Sequence, residues 1–277
     1  MTRNATTIAF IGFGEVGKRF SRDLIANEGV NIVGYDILLD DPARRPAMED
    51  AARAIGVTCA TSANAACRGA DIVISAVTAD KTEAVAADTA RFLTAGQIYL
   101  DVNSASPSTK TRAAAAVNKS GASYIEAAVM AAVLQPGIRV PILAGGPAAQ
   151  EAAQRLNALG MNLTPVAREY GRASAIKLCR SIMIKGIEAL MVDCARATRH
   201  WNVEREVFAS LTETFPSIGW PELADAMAER VATHGVRRAA EMREAAEMLA
   251  EMGLESELAR AVADAQERGA RRNKDDR

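Results

Sequence analysis

Four residues of one predicted helix have types and spacing suited to acid–base chemistry. In the segment GRASAIKLCRSIMIKGIEAL, Lys177, Ser181, Lys185 and Glu188 are offset by 4, 8 and 11 residues, and at about 100° per residue they share one narrow sector. Two amines, a hydroxyl and a carboxylate among apolar neighbours are costly to bury unless that face lines a polar cleft. A lysine placed there can serve as general acid or base, because burial or a second cation lowers its pKa toward neutrality. The same spacing also describes a solvated face with a Lys185–Glu188 surface pair, so the helix alone leaves both readings open.

A second pattern lies near the N-terminus, in IAFIGFGEVGKRFSRDLIANEGVNIVGYD. Gly12, Gly14 and Gly17 form G-x-G-x-x-G directly after a predicted strand and at the opening of a predicted helix. The first glycine allows a tight turn, the second lets the backbone approach a pyrophosphate, and the third lets helix and strand pack closely. Phe13, Glu15 and Val16 complete the loop, and the helix start offers free N–H groups to phosphate oxygens. Asp36 closes the next strand, 19 residues beyond Gly17, where an acidic side chain accepts hydrogen bonds from ribose hydroxyls. Its charge repels a 2′-phosphate, so NAD is the expected cofactor. NADP stays open because Arg44 and Arg45 follow closely. A Rossmann-like domain that takes S-adenosylmethionine, or no ligand, is the alternative.

Two further stretches end predicted strands on the same side. Val77 and Thr78 in VISAVTAD, and Asn103 and Ser104 in YLDVNSASP, would lie at the carboxyl edge of a parallel sheet, where doubly wound folds bind ligands. Strand-end packing and ordinary turn chemistry account for them equally well.

The elements that must position these residues follow from periodicity. Thr7–Ile11, Asn31–Tyr35, Asp71–Val77, Gln97–Val102 and Ile142–Ala144 read as strands, and Gly14–Ala26, Arg45–Ile55, Lys81–Leu93 and Ser108–Lys119 as the helices between them. Such alternation predicts an α/β fold: an N-terminal Rossmann domain with a doubly wound parallel sheet, over residues 1–165. Beyond Pro165 no strand is expected. Ala173–Arg199, Trp220–Ala232 and Val236–Met252 carry a helical period, which predicts an all-α domain over residues 166–277. Met242, Ala245, Leu249 and Met252 are read there as a core-facing stripe, and the tail ERGARRNKDDR as a solvated end.

Composition excludes several functions. The chain has 277 residues, which suggests two domains, and 33 basic against 34 acidic residues leave a net charge of −1. No basic field exists to recruit nucleic acid or anionic lipid, and 4% aromatic residues give little stacking surface for bases. Four cysteines without a C-x-x-C pair and only two histidines argue against a metal site. The opening MTRNATT has neither the length nor the flanks of a signal peptide, and a cytoplasmic protein with no membrane partner is expected.

The order of glycine fingerprint, Asp101-Val102-Asn103-Ser104 loop, Gly171-x-x-x-x-x-Lys177 helix and helical C-terminal domain resembles the beta-hydroxyacid dehydrogenase family, close in plan to 6-phosphogluconate dehydrogenase. The likeness covers nearly the whole chain. It implies an NAD(P)-dependent oxidoreductase that moves a hydride to or from a small polar hydroxyacid. It makes Lys177 the general acid/base, has Asn103 and Ser104 meet nicotinamide ribose and substrate, and has the long helix cross a partner subunit in a homodimer. Two departures stand out. The family's asparagine four residues after the lysine is Ser181 here, and its Ser-Gly-Gly substrate loop is Met130-Ala131-Ala132 in YIEAAVMAAVLQPG. Arg180-Ser181 with Lys185-Gly186, and HGVRRAAEM over His234–Met242, resemble a subgroup whose C-terminal domain has no settled function. Arg180, Lys185, His234 and Arg237 are the candidates for an anion clamp, His234 and Arg237 reading equally as a helix-start pair on the surface, with Met130 at the substrate and Ser104, Ser181 and Asn103 orienting it. An imine reductase on the same scaffold, which tends to lack the lysine, and a dinucleotide-binding protein without catalysis are the competing readings.

Overall fold

The computed structural model describes residues 5–275, and side chains through Arg271. Eight strands form one sheet: β1 (Thr6–Ile11), β2 (Val30–Tyr35), β3 (Thr58–Cys59), β4 (Ile72–Ser75), β5 (Ile98–Asp101), β6 (Ser123–Val129), β7 (Ile142–Gly145) and β8 (Leu163–Ala167). Their order is β3-β2-β1-β4-β5-β6-β7-β8. Helices α1 (Glu15–Leu24), α2 (Arg45–Arg53), α3 (Ala63–Cys67), α4 (Thr82–Ala90), α5 (Pro107–Asn118) and α6 (Ala149–Asn157) connect them. Along β1, Ile8 and Phe10 join one buried cluster with Ile72, Ile74 and Leu100, whereas Ala9 and Ile11 join another with Val73, Tyr99 and Tyr124. Alternate side chains therefore meet core on both faces, as a doubly wound sheet requires. The order reverses between β1 and β4, and the crevice at such a switch point is where ligands bind.

The expected strands and helices of this half are present, with five additions, the strands β3, β6 and β8 and the helices α3 and α6, and one correction. β7 runs antiparallel to β6, against the expected all-parallel sheet, because residues 130–141 contain only a short 3-10 turn and no helix to carry a crossover. Pro165 lies inside β8 instead of ending the domain. β8 is an edge strand, where a missing N–H is tolerated.

The chain divides into two compact units, Met1–Lys177 and Leu178–Arg277, so the break falls beyond residue 165, within α7 (Arg172–Trp201). The second unit contains the rest of α7, with α8 (Glu204–Thr214), α9 (Trp220–Glu251) and α10 (Glu257–Asp275). α9 replaces the two helices expected there. It runs through Gly235, where an added Cβ would lie 2.2 Å from the Gln266 carbonyl oxygen on α10; this glycine serves close helix packing and breaks nothing. Met242 and Ala245 are buried, but Met252, at the end of the expected stripe, is exposed. The tail continues α10 and pairs Arg271 with Glu267; its last two residues lie outside the described residues. Among the described residues, no helix is long and apolar enough to cross a membrane.

Candidate active site

The glycine loop is built as its spacing requires. Gly12 has φ +91°, and a Cβ there would lie 2.4 Å from the Ala76 carbonyl oxygen, so only glycine fits between β1 and the end of β4. Gly17 is equally constrained, with 2.6 Å from its virtual Cβ to the Gly12 carbonyl oxygen. Gly14 differs: nothing lies within 4 Å of its virtual Cβ. It is the N-cap of α1 and supplies no side-chain cap, which leaves the first N–H groups of the helix for a ligand. Glu15 is exposed and Val16 half-buried beside this opening, whereas the Phe13 ring is buried in the core.

Asp36 ties the loop to β2. Its Oδ2 accepts the Phe13 N–H at 2.7 Å and its Oδ1 the Leu38 N–H at 3.0 Å, and each oxygen keeps a second lone pair. The two nearby arginines are engaged locally: Arg45 Nε donates to the Leu39 carbonyl at 2.6 Å, and Arg44 lies 3.4 Å from Asp41.

The ends of β4 and β5 are stitched together by Asn103. Its Oδ1 accepts the Val77 N–H at 2.6 Å, its Nδ2 donates to Ser75 Oγ at 3.0 Å, and its own N–H donates to Asp101 Oδ1 at 3.0 Å. Asn103 is buried, so its amide shapes the edge from beneath. Thr78 is exposed and donates to Asp80 at 2.6 Å. Beneath the loop lies a buried ion pair. Lys110 Nζ reaches Asp101 Oδ1 at 2.9 Å and the Asp101 carbonyl at 3.0 Å, and Tyr124 Oη donates to Asp101 Oδ2 at 2.5 Å. Burial, and then the Asp101 charge, push the Tyr124 phenol well above its ordinary pKa, so it stays a donor. The next residue, Ser104, has a buried Oγ with no hydrogen-bond partner among the described residues. A buried hydroxyl is normally satisfied; Ser104 Oγ is one of several buried side-chain atoms without a partner among the described residues.

Lys177 stands on the second turn of α7, half-buried. The start of that helix is fixed within the first unit. Gly171, φ +89°, packs so tightly on Pro107 that an added Cβ would lie 3.0 Å from the proline Cβ. Gly171 and Ser174 each donate their N–H to Glu126 on β6, at 2.6 Å. Met130 and the exposed Ala131 and Ala132 follow β6 at the same sheet edge. The segment after them is strapped to α1: Arg19 pairs with Asp23 and donates to the Leu134 carbonyl at 2.9 Å, and Asp23 accepts the Ile138 N–H at 3.0 Å.

In the helical unit, Ser181 and Lys185 are brought together and buried, with Lys185 Nζ 2.9 Å from Ser181 Oγ and 2.8 Å from Glu241. Burial lowers the Lys185 pKa, with Glu241 pulling the other way. Glu188 does not pair with Lys185; it takes Arg230 at 3.1 Å, Arg238 and Gln266. Arg180, His234 and Arg237 are exposed, and no bond joins them to Lys185. Sequence reasoning missed Glu126, Lys110, Arg230, Arg238 and Glu241. A lone charge inside an apolar run, as in YIEAAV, was the available signal for the first. Among the described residues, no group of three or more histidines, cysteines or carboxylates is placed to hold a metal ion.

Residues 7–167 match the family described as the NAD binding domain of 6-phosphogluconate dehydrogenase, and residues 198–269 match DUF1932, a domain of unknown function. A conserved hypothetical protein from Sinorhizobium meliloti shares 39% identity at a TM-score of 0.81, over 95% of this chain and 87% of its own. A conserved protein of unknown function, described as structurally similar to 3-hydroxyacid dehydrogenases, shares 31% identity at a TM-score of 0.75, over 95% of this chain and 97% of its own. A 3-hydroxyisobutyrate dehydrogenase from Mycobacterium tuberculosis, solved with L-serine, shares the fold at 18% identity and a TM-score of 0.76, over 96% of this chain and 94% of its own.

Proposed function

The chain belongs to the family of the 6-phosphogluconate dehydrogenase NAD-binding domain, and from that premise we propose that it is an NAD-dependent dehydrogenase of a small polar hydroxyacid or its keto form. The observation that carries the reading is the orphaned, buried Ser104 hydroxyl, on a loop that packs through Pro107 against the first turn of the Lys177 helix. The open face at Gly14 and the unspent N–H groups of α1 fit a pyrophosphate. The carboxylate of Asp36 fits ribose hydroxyls and disfavours a 2′-phosphate, which supports NAD over NADP.

When bound, the nicotinamide supplies the two-electron chemistry, taking up or returning a hydride. The protein's part is orientation and proton transfer. Lys177 takes the hydroxyl proton during oxidation and returns it to the carbonyl oxygen during reduction, while Ser104 holds that oxygen in line. Ser181, one turn beyond Lys177 on the same helix, stands at the position of the family's asparagine and accepts from Lys185. Lys185 is charge-matched by Glu241, which makes it a weaker anion ligand than a free lysine. The exposed stripe Met183, Ile187, Leu190 and Trp201 on α7 is the surface we assign to a second copy of the chain, and sedimentation tests it.

The test is a thermal-shift comparison of NAD, NADP and S-adenosylmethionine, followed by assays on hydroxyacids, ketones and imines in parallel. A ligand that binds the native state raises its stability by RT ln(1 + [L]/Kd). Stabilisation by NAD and turnover of a hydroxyacid are expected. Turnover of imines alone supports an imine reductase, and NAD binding without any turnover supports a non-catalytic dinucleotide-binding protein.

A further inference from the structure

Glu126 is a carboxylate in an otherwise apolar strand. It lies level with Asp101 at the end of β5 and with Gly145 on β7, and it is fully buried. No ion pair reaches it among the described residues. Its charge is met by two backbone donors, the N–H groups of Gly171 and Ser174, each at 2.6 Å. An anion at a helix N-terminus is favoured by the dipole, and bonds to a charged acceptor are the strong kind. The neighbouring strand is adapted to it: a Cβ on Gly145 would lie 2.7 Å from Glu126 Oε2.

We propose that Glu126 is the positioning residue for Lys177, fixing the height of the lysine relative to the Ser104 loop. From Gly171 to Lys177 the helix rises about 9 Å, with no glycine or proline between them. Movement of the first turn therefore passes to the Lys177 backbone, from which the amine is carried. Pro107, three residues after Ser104, contacts Gly171 from the other side. The loop that carries Ser104 and the helix that carries Lys177 thus share one clamp, of which Glu126 is the polar half. The inference rests on the reading of Lys177 as acid/base. A misplacement of about 1 Å in such a constellation costs on the order of a hundredfold in rate.

The test uses Glu126→Gln, whose NH2 group would face one of the two N–H donors, and Gly145→Ala, which presses on the carboxylate without altering it. Hydrogen exchange over residues 171–177, NADH affinity, kcat and KM are measured in the full chain. Exchange should quicken about tenfold or more, and kcat should fall about 10- to 100-fold with KM changed less than about threefold. NADH affinity should stay within about twofold of wild type, and Glu126→Gln added to Lys177→Met should cost little more than Lys177→Met alone. Wild-type kcat or unchanged exchange in Glu126→Gln overturns the positioning role, as does a cost that adds in full to that of Lys177→Met. Failure of the underlying reading looks different: Lys177→Met turns over like wild type, or wild type turns nothing over. Either result removes the role, while the exchange data still report whether Glu126 holds the helix.

Discussion

Replacing Lys110 by methionine tests how the carboxyl end of β5 and the loop after it are supported. Lys110 and Asp101 are both 0% exposed, and the ammonium makes two bonds to Asp101, at 2.9 Å to its carboxylate and 3.0 Å to its carbonyl. Methionine fills similar space without the charge. The Asp101 carboxylate then keeps the Asn103 N–H at 3.0 Å and the Tyr124 hydroxyl at 2.5 Å, but is left buried without its cation. Removing one partner of a buried pair costs about 3–5 kcal/mol. For a unit of this size, about 1 kcal/mol moves Tm by roughly 2–4 °C, so Lys110→Met should melt about 6–20 °C lower. Removing both charges in Asp101→Asn/Lys110→Met should recover at least about half of that loss, because an uncompensated buried charge is the main cost. Thermal and urea unfolding followed by circular dichroism measure both values. A loss below about 1 kcal/mol for the single variant, or a double variant less stable than Lys110→Met, would refute the reasoning.

Two further perturbations bear on the cofactor and the helical unit. Asp36→Ala removes the acceptor of the Phe13 N–H and the charge proposed to meet the ribose hydroxyls. NAD affinity should fall about 10- to 100-fold, NADP affinity should fall less, and calorimetric titration giving an unchanged ratio would contradict the assignment. Lys185 is held below its ordinary 10.5 mainly by burial. Between the lowered value and 10.5 the unfolded chain binds more protons than the folded one, so stability should rise with pH across that window. Urea melts from neutral pH to 10.5 should show this rise in wild type and its absence in Lys185→Met; an equal rise in the variant refutes it.

What could be read from the residues alone was whatever depended on local spacing. Gly12, Gly14, Gly17 and Asp36 are tied to one turn and two adjacent strands, and their positions in the sequence fix their geometry. Glu126 and Gly171 are 45 residues apart, and only the folded sheet brings them together. Lys110 sits among polar neighbours in SPSTKTR, and nothing in them announces that its amine turns inward onto Asp101. The short β3 has no detectable period, and Pro165 hid β8. In the helical unit the shared face of Ser181, Lys185 and Glu188 was legible, but its partners Glu241, Arg230 and Arg238 belong to another helix. The expected clamp residues His234 and Arg237 sit on the exposed side of that helix.

The central claim, an NAD-dependent dehydrogenase whose proton is handled by Lys177, is tested most directly by comparing wild type with Lys177→Met in NADH titration and in turnover of a hydroxyacid panel. The account predicts NADH affinity within about twofold, with turnover reduced about 10²- to 10⁴-fold, the usual contribution of a general acid/base. Turnover by Lys177→Met at the wild-type rate would contradict it.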